Sequence, residues 1–234
     1  MNQNNQAQND EIEPEKVDAS LPTFRDDEHF IERHETFLKW IKEEPIGLLF
    51  LGDSITRRWV DNLDLWNQYF AQYDPINFGV GGDALQNVLW RIQNGQLDNI
   101  SPKVLVLLIG TNNVPTNSGA EIAAAMRKVI TVIRSKLPDT IILLHTIFPR
   151  GPQRPEIATE ENPYYMDIVN TANKEIVEFA DGDIVRLVDI GDRFLDEAGN
   201  IDTTLMPDQL HLVAPGYVIW GDVLQELLAE IIPD

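Results

Sequence analysis

The sequence contains no cysteine, and this absence removes several kinds of chemistry at once. Without thiols the chain has no disulfide bonds, no thiolate nucleophile and no cysteine-ligated metal. Positive charge is also scarce, because 18 Lys and Arg stand against 38 Asp and Glu and give a formal net charge of -20. A surface this acidic repels phosphate backbones and anionic lipids, so nucleic acid is not an expected partner. The excess of acid predicts a well-solvated surface, with adaptation to a salty habitat as the alternative.

Long apolar runs are missing as well. No stretch approaches the roughly 18 consecutive apolar residues of a membrane-spanning helix. The first twenty residues are rich in Asn, Gln, Asp and Glu and do not resemble a signal sequence. We therefore predict a disordered polar tail over residues 1–22 and a single domain over residues 23–234. The expected location is cytoplasmic, or exported if a signal peptide has been removed.

After the tail, two kinds of apolar segment alternate along the chain. Short apolar runs are typical of buried strands, whereas apolar residues at helical spacing predict amphipathic helices. We predict strands at 46–51, 75–78, 104–109, 140–145 and 184–188, and helices at about 26–43, 59–72, 84–94, 120–136, 163–180 and 215–232. This alternation predicts an α/β fold, a three-layer α/β/α sandwich with a five-stranded parallel sheet in the flavodoxin-like order 2-1-3-4-5. Four prolines between residues 148 and 163 predict a long loop that shapes the substrate pocket.

Ser54 is the first candidate for chemistry, because it begins the loop after the first predicted strand. Open α/β sheets place their ligand sites at the carboxyl ends of strands.

The surrounding glycines do not form a phosphate-binding P-loop, since Asp53 stands where that motif needs lysine. The nucleophile elbow of α/β-hydrolases is absent too, because Thr56 replaces its second glycine. A dinucleotide site at residues 79–84 is disfavoured, since the next strand does not end in an acidic residue.

Four histidines are available as a general base. His29 and His34 lie in the charged first helix, and His145 ends the fourth strand, so exposure, packing or hydrogen bonding accounts for all three. His211 differs because Asp208 precedes it by three residues in the segment before the last helix. A carboxylate at this spacing can hold the imidazole Nδ1–H, so that Nε2 faces a serine. By itself such a pair is more often structural than catalytic.

Two further strand ends offer groups that could stabilise an oxyanion. Gly81 and Gly82 follow the second strand, where glycine lets the backbone approach a ligand closely. Asn112 follows the third strand, and its side-chain amide carries N–H donors. Together with Ser54 and His211, these groups place a nucleophile, two oxyanion donors and a base at one edge of the predicted sheet.

At this point the sequence resembles the GDSL, or SGNH, hydrolase superfamily, named for serine, glycine, asparagine and histidine in four separate blocks. The supporting stretches are residues 77–83, 88–95 and 110–113. The resemblance extends over nearly everything after the tail and is closest to the branch of the platelet-activating factor acetylhydrolase catalytic subunits. It implies a catalytic triad and an oxyanion hole: Ser54, Asp208 and His211 for the first, and Ser54, Gly82 and Asn112 for the second. Ile55 replaces the leucine of the family's name, which touches no reacting group.

The resemblance also implies the same three-layer fold, no metal or organic cofactor, and a small-molecule ester as substrate. The leading hypothesis is therefore a serine esterase that hydrolyses short-chain acyl esters, acetyl esters above all, through an acyl-enzyme. A carbohydrate O-acetyl esterase is the alternative within the same chemistry, with Trp90, Tyr164 and Tyr165 as candidates for stacking on a sugar. A non-catalytic binding or scaffold protein that retains the fold is the alternative of another class. Dimers occur in the platelet-activating factor branch, so a homodimer is left open.

Overall fold

The computed structural model describes residues 17–43, 45–152 and 164–232. Its sheet contains five strands, which are β1 (Leu48–Gly52), β2 (Pro75–Gly79), β3 (Val104–Leu108), β4 (Ile141–His145) and β5 (Val185–Val188). All pairings are parallel and the strand order is β2-β1-β3-β4-β5. The predicted parallel sheet and its order are confirmed, and the predicted strand bounds lie within two residues of the observed ones.

Seven α-helices are described, and six of them cover the two faces of the sheet. They are α1 (Glu28–Glu43), α2 (Ser54–Arg57), α3 (Leu63–Phe70), α4 (Leu85–Arg91), α5 (Gly119–Lys136), α6 (Tyr164–Ile176) and α7 (Ala214–Ile231). Helices α1, α4, α5 and α6 contribute buried residues to the core on one face. Helices α3 and α7 contribute to the core on the other. The predicted three-layer sandwich is therefore confirmed. No helix among the described residues is long and apolar enough to cross a membrane.

Strand β1 shows why the sheet needs cover on both faces. Leu49 and Leu51 belong to one core, whereas Leu48 and Phe50 belong to the other, and all four side chains are fully buried. Successive side chains of a strand point to opposite faces, so a continuous apolar run can be buried only between two layers of helices. Burying each such side chain contributes roughly 1.5–3 kcal/mol.

The predicted tail and the proline-rich loop are only partly described. Residues 1–16 and 153–163 lie outside the described residues. Residues 17–22 contact the domain: Ala19 is buried, and the Val17 carbonyl accepts a hydrogen bond of 2.8 Å from Asn117 Nδ2. The described end of the chain therefore lies against the segment that precedes α5.

Two predictions for the segment after β1 are wrong. Ser54 begins a short helix, α2, and not a loop, because the Asp53 carboxylate accepts a hydrogen bond of 2.9 Å from the Ile55 backbone N–H and caps that helix. The single helix predicted over residues 59–72 consists of α3 between two short 3₁₀ segments, Arg58–Asn62 and Ala71–Tyr73. Periodicity alone does not separate these tighter turns from an α-helix.

Asp53 is fully buried, and only one of its carboxylate oxygens has a hydrogen-bond partner. Burial raises the pKa of this carboxyl to about 7. The bond from the Ile55 N–H and the charge of Arg150 oppose this rise, whereas the Asp83 carboxylate adds to it. The cap of α2 is therefore a group whose charge changes near neutral pH.

We expect Asp53→Asn to remove a pH-dependent cost to stability. Because the pKa of Asp53 is about 7 in the folded protein and about 3.9 in an unfolded chain, its contribution to the free energy of unfolding falls as the pH rises between these values. Asparagine keeps the acceptor for the Ile55 N–H but cannot ionise. The melting temperature of the variant minus that of the wild type should therefore increase between about pH 5 and about pH 8. Thermal melts at both pH values measure this difference, and a difference that stays constant or decreases would contradict the expectation.

Candidate active site

The first three strands end at the same level, which brings their following loops together. Gly52 of β1 pairs with Gly79 of β2 and with Leu108 of β3, so these loops leave the same edge of the sheet. The segment between β5 and α7 reaches the same edge. The predicted site residues lie in these connections: Ser54, Gly82, Asn112, Asp208 and His211.

Three of these residues form a continuous chain of hydrogen bonds. Ser54 Oγ lies 2.9 Å from His211 Nε2, and His211 Nδ1 lies 2.6 Å from Asp208 Oδ2. Ser54 is half-buried. When a carboxylate accepts the Nδ1–H, the lone pair of the neutral imidazole is on Nε2 and faces the hydroxyl. This arrangement can remove a proton from Ser54.

Local hydrogen bonds hold the turn that carries Asp208 and His211. The second carboxylate oxygen of Asp208 accepts bonds from the backbone N–H groups of Leu210 and His211, at 3.1 and 2.7 Å. Gln209, between them, adopts a left-handed backbone with φ of 56°, and its carbonyl accepts a bond from the Gly151 N–H. A Cβ on Gly151 would lie 2.8 Å from Gln209 Cβ, so a side chain at position 151 would require the two segments to move apart. The turn is therefore fastened to the loop after β4.

Burial and charge set the protonation of this pair. Burial of Asp208 opposes its ionisation, but the bonds that it accepts from His211 outweigh burial and hold its pKa below the ordinary range. Burial lowers the pKa of His211 by more than the Asp208 hydrogen bond raises it. The charges of Arg58 and Arg150 lower it further. The lowered pKa favours the neutral imidazole, which is the state that can accept a proton.

Gly82 lies in a tight turn after β2. Its φ is +77°, in the left-handed region that favours glycine, and the residue is exposed. The Asp83 N–H bonds to the Val80 carbonyl across this turn at 3.2 Å. Arg25 Nη1 donates to the Gly81 carbonyl at 2.9 Å, so the peptide ahead of Gly82 is held by a side chain from before α1.

Asn112 lies in the neighbouring loop, after β3. Its Nδ2 donates to the Asp83 carbonyl at 2.9 Å, which orients the side-chain amide, and this amide group has a second N–H. The next residue, Asn113, is buried and accepts a bond from the Leu85 N–H with its Oδ1. The loops that carry Gly82 and Asn112 are therefore joined by two side-chain hydrogen bonds.

A buried ion pair beneath the site was not predicted. Arg91 and Asp83 are fully buried, and Arg91 Nε donates to Asp83 Oδ2 at 2.8 Å. Arg91 also donates to the Phe78 and Gly52 carbonyls, at 3.2 and 3.4 Å. It thereby connects the ends of β1 and β2. The sequence signal for this pair is that Asp83 and Arg91 are the only charged residues of the stretches 77–83 and 88–95.

Arg150 was also missed, although its loop was expected to shape the pocket. It is buried, its Nη1 donates to the Thr111 carbonyl at 2.7 Å, and its guanidinium lies 5.4 Å from the centre of the Tyr165 ring. Because it supports the residue before Asn112 and lowers the pKa of His211, it belongs to the site. In the sequence, only its position could have indicated a role for Arg150: it is one of few cations and lies two residues after Phe148, in the predicted loop.

The other histidines are not part of this constellation. His145 is fully buried, its Nε2 accepts a bond of 3.1 Å from Trp220 Nε1, and burial lowers its pKa to about 3. His34 is buried beside Trp90, with ring centres 5.0 Å apart, and His29 is exposed. These placements agree with the structural roles expected for them.

Comparison with known proteins gives the family. The sequence model of the GDSL-like Lipase/Acylhydrolase family matches residues 50–219. The platelet-activating factor acetylhydrolase IB subunit beta homolog of Drosophila melanogaster is 34% identical over 221 residues, which cover 94% of both chains. The human alpha2 subunit is 28% identical over 221 residues, which cover 94% of this chain and 93% of that one.

A solved structure supports the fold. A GDSL-like lipase from Bacteroides thetaiotaomicron aligns with a TM-score of 0.64 at 17% identity, covering 85% of this chain and 100% of that one. At this identity the likeness concerns the fold, whereas the sequence matches above concern the family. The chain therefore belongs to the GDSL-like lipase/acylhydrolase family and is a hydrolase of carboxylic esters.

Proposed function

We propose that the protein is a serine esterase that hydrolyses short-chain acyl esters through an acyl-enzyme intermediate. The observation that carries this proposal is the chain of hydrogen bonds from Ser54 Oγ to His211 Nε2 and from His211 Nδ1 to Asp208, at 2.9 and 2.6 Å. A serine hydroxyl is a weak nucleophile by itself and needs an adjacent base within this distance.

In the proposed reaction, His211 takes the hydroxyl proton while Ser54 Oγ bonds to the ester carbonyl carbon. The π electrons of the carbonyl move to its oxygen and give a tetrahedral intermediate. Collapse of this intermediate breaks the bond to the alcohol, which leaves with the proton from His211. A water molecule then attacks the acyl-enzyme with His211 again as base, and Ser54 recovers its proton as the acid departs.

The negative oxygen of the intermediate would be bound by three donors, which are the backbone N–H groups of Ser54 and Gly82 and the amide of Asn112. Three features support these roles. Ser54 is the first residue of α2, so its N–H has no acceptor within that helix. Gly82 has the backbone conformation of a tight turn, and Asn112 is oriented by the Asp83 carbonyl. Each such donor typically contributes about 10²–10³-fold in rate.

An acetyl group is the acyl group that we propose. The Drosophila and human relatives are named acetylhydrolases. Two buried side chains of the site, Thr111 beside Asn112 in the chain and Arg150 bonded to the Thr111 carbonyl, are polar and would offer little apolar surface to a longer acyl chain.

Among the described residues, no contact favours a sugar ester. The Trp90 ring packs against Phe24 and Phe30, with centres 4.8 and 5.7 Å apart, and Tyr165 faces Arg150. The side chain of Tyr164 lies outside the described residues.

The acyl preference can be tested with p-nitrophenyl esters of increasing chain length. We expect kcat/KM to be highest for the acetate and to fall for the butyrate and hexanoate, because the polar side chains of Thr111 and Arg150 would give the added methylenes little apolar contact. Acetate release from acetylated xylan, measured beside the aryl acetate, should be the slower reaction. A higher kcat/KM for hexanoate, or faster release from xylan, would contradict the acetyl-ester proposal.

Ser54→Ala should reduce hydrolysis of p-nitrophenyl acetate by at least about 10⁴-fold, because the nucleophile is removed while the fold is kept. The same variant should lose covalent labelling by a fluorophosphonate probe, which reacts only with an activated serine. Ser135→Ala, at an exposed position in α5, is the matched control and should retain both properties. A wild type that is neither labelled nor active would favour the non-catalytic alternative, and an active Ser54→Ala would refute the assigned nucleophile.

The activity should rise with pH as His211 loses its proton, since only the neutral imidazole can act as the base. Because burial and two arginines lower the pKa of His211, the midpoint of kcat/KM should lie below the ordinary value of about 6.5. Arg58→Gln removes one of the two arginine charges that lower this pKa and should move the midpoint upward. The measurement is acetate release across the acidic range, and a wild-type midpoint above about 6.5 would contradict the expectation.

A further inference from the structure

We propose that Arg25 is a positioning residue of the active site and that the segment Val17–Asp27 is a functional part of it. The inference rests on the proposed function, because it concerns the groups assigned there to the oxyanion. Both Arg25 and its segment precede residue 50, where the family match begins. The contribution would therefore come from outside the region that the family model covers, although the matches to the relatives extend over 94% of the chain.

Arg25 holds the turn around Gly82 from both sides. Its Nη1 donates to the Gly81 carbonyl at 2.9 Å and to Asp83 Oδ1 at 2.8 Å. The guanidinium also covers the glycine between them, since a Cβ on Gly82 would lie 3.5 Å from both Nη1 and Nη2. The same side chain therefore fixes the peptide before Gly82 and the side chain after it.

Asp83 carries this constraint to Asn112. Its two carboxylate oxygens are bound by two guanidinium groups, Oδ1 by Arg25 and Oδ2 by Arg91. Its carbonyl oxygen is the acceptor that orients Asn112 Nδ2. Because Asp83 is fully buried, loss of Arg25 would leave one side of a buried carboxylate without its cation, and the turn would relax. Both proposed oxyanion donors would move with it.

Other residues of the segment form hydrogen bonds with residues that follow the same two loops. The Thr23 N–H donates to the Gln86 carbonyl at 2.9 Å, and Asn87 Nδ2 donates to the Thr23 carbonyl at 3.0 Å. Farther along, Asn117 Nδ2 donates to the Val17 carbonyl at 2.8 Å. Segment Val17–Asp27 is thus bonded to the starts of α4 and α5, which follow the loops of Gly82 and Asn112.

An ordinary surface ion pair would not account for these contacts. Arg25 does pair with the exposed Asp27, at 2.9 Å, and exposed pairs of this kind contribute little to stability. Its other carboxylate partner, Asp83, is fully buried, and the Arg25 side chain itself is only 24% exposed. The contacts with Gly81 and Asp83 are directed into the site, so the expected effect of Arg25 is on catalytic geometry.

Arg25→Gln tests the proposal, with Arg186→Gln as the matched control. Arg186 forms an exposed ion pair with Glu230, at 3.0 Å, and thus loses the same charge at a surface site. We expect Arg25→Gln to lower kcat for p-nitrophenyl acetate by about 10²-fold with little change in KM, as for a small misplacement of catalytic groups. Arg186→Gln should change neither. Equal kinetics in wild type and Arg25→Gln would overturn the proposal while leaving the esterase assignment intact.

A double variant separates positioning from a general loss of stability. Asn112→Ala alone should cost about 10²–10³-fold in kcat. If Arg25 acts through Asn112 and Gly82, Asn112→Ala should lower kcat by a much smaller factor when Arg25→Gln is already present. Losses that simply multiply would show that Arg25 acts independently of these groups and would overturn the proposal. Arg25→Lys keeps a cation beside Asp83 and should lower kcat by a smaller factor than Arg25→Gln. It provides the test if Arg25→Gln does not fold.

A spectroscopic measurement tests the same claim without turnover. The ¹⁵N resonances of the Gly82 amide and the Asn112 side-chain amide should shift in the Arg25 variants and remain in place in Arg186→Gln. Unchanged resonances would refute positioning whatever the substrate proves to be. Absence of serine labelling in the wild type would instead refute the proposed function, so the two failures can be distinguished.

Discussion

The buried ion pair between Asp83 and Arg91 is the interaction on which the rest of the site depends. It lies where β1 and β2 end, and Arg91 also binds backbone carbonyls of both strands. A buried pair of this kind adds little net stability over an apolar pair, but removing one partner costs about 3–5 kcal/mol because a charge is left uncompensated. The pair is therefore best understood as fixing geometry. It holds the turn of Gly82 and, through the Asp83 carbonyl, the amide of Asn112.

The same edge of the sheet shows how a strongly acidic protein can use its few cations. With 18 Lys and Arg in the chain, four arginines nevertheless act on Asp83 or His211 of the site. Arg25 and Arg91 bind Asp83, whereas Arg58 and Arg150 lower the pKa of His211. Buried cations are effective because the low dielectric strengthens their fields. Here the buried Arg91 compensates the Asp83 carboxylate, whereas Arg58 and Arg150 add to the effect of burial in lowering the pKa of His211.

The features that the sequence predicts well are those encoded by neighbouring residues. The apolar runs marked the strands within two residues, and the spacing of Asp208 and His211 predicted a bond that the structure shows. The start of α2 at Ser54 was missed, because it depends on one carboxylate acting as a cap. Arg25 and Arg150 were missed because their partners, Gly81 and Thr111, lie 56 and 39 residues away in the chain. Patterns of neighbouring residues in the sequence do not predict which loops will contact each other.

This difference between local and distant contacts divides the site into two parts. The Asp208 and His211 pair is maintained within one turn, but its distance from Ser54 is a tertiary property. Tyr217 of α7 donates its buried hydroxyl to the Ile55 carbonyl at 2.7 Å and so links α7, just after His211, to α2, which begins at Ser54. The bond from Gly151 to Gln209 adds a second link, from the loop after β4. The imidazole reaches the hydroxyl because elements distant in sequence are joined on either side of it, by the Tyr217 bond to Ile55 and the Gly151 bond to Gln209.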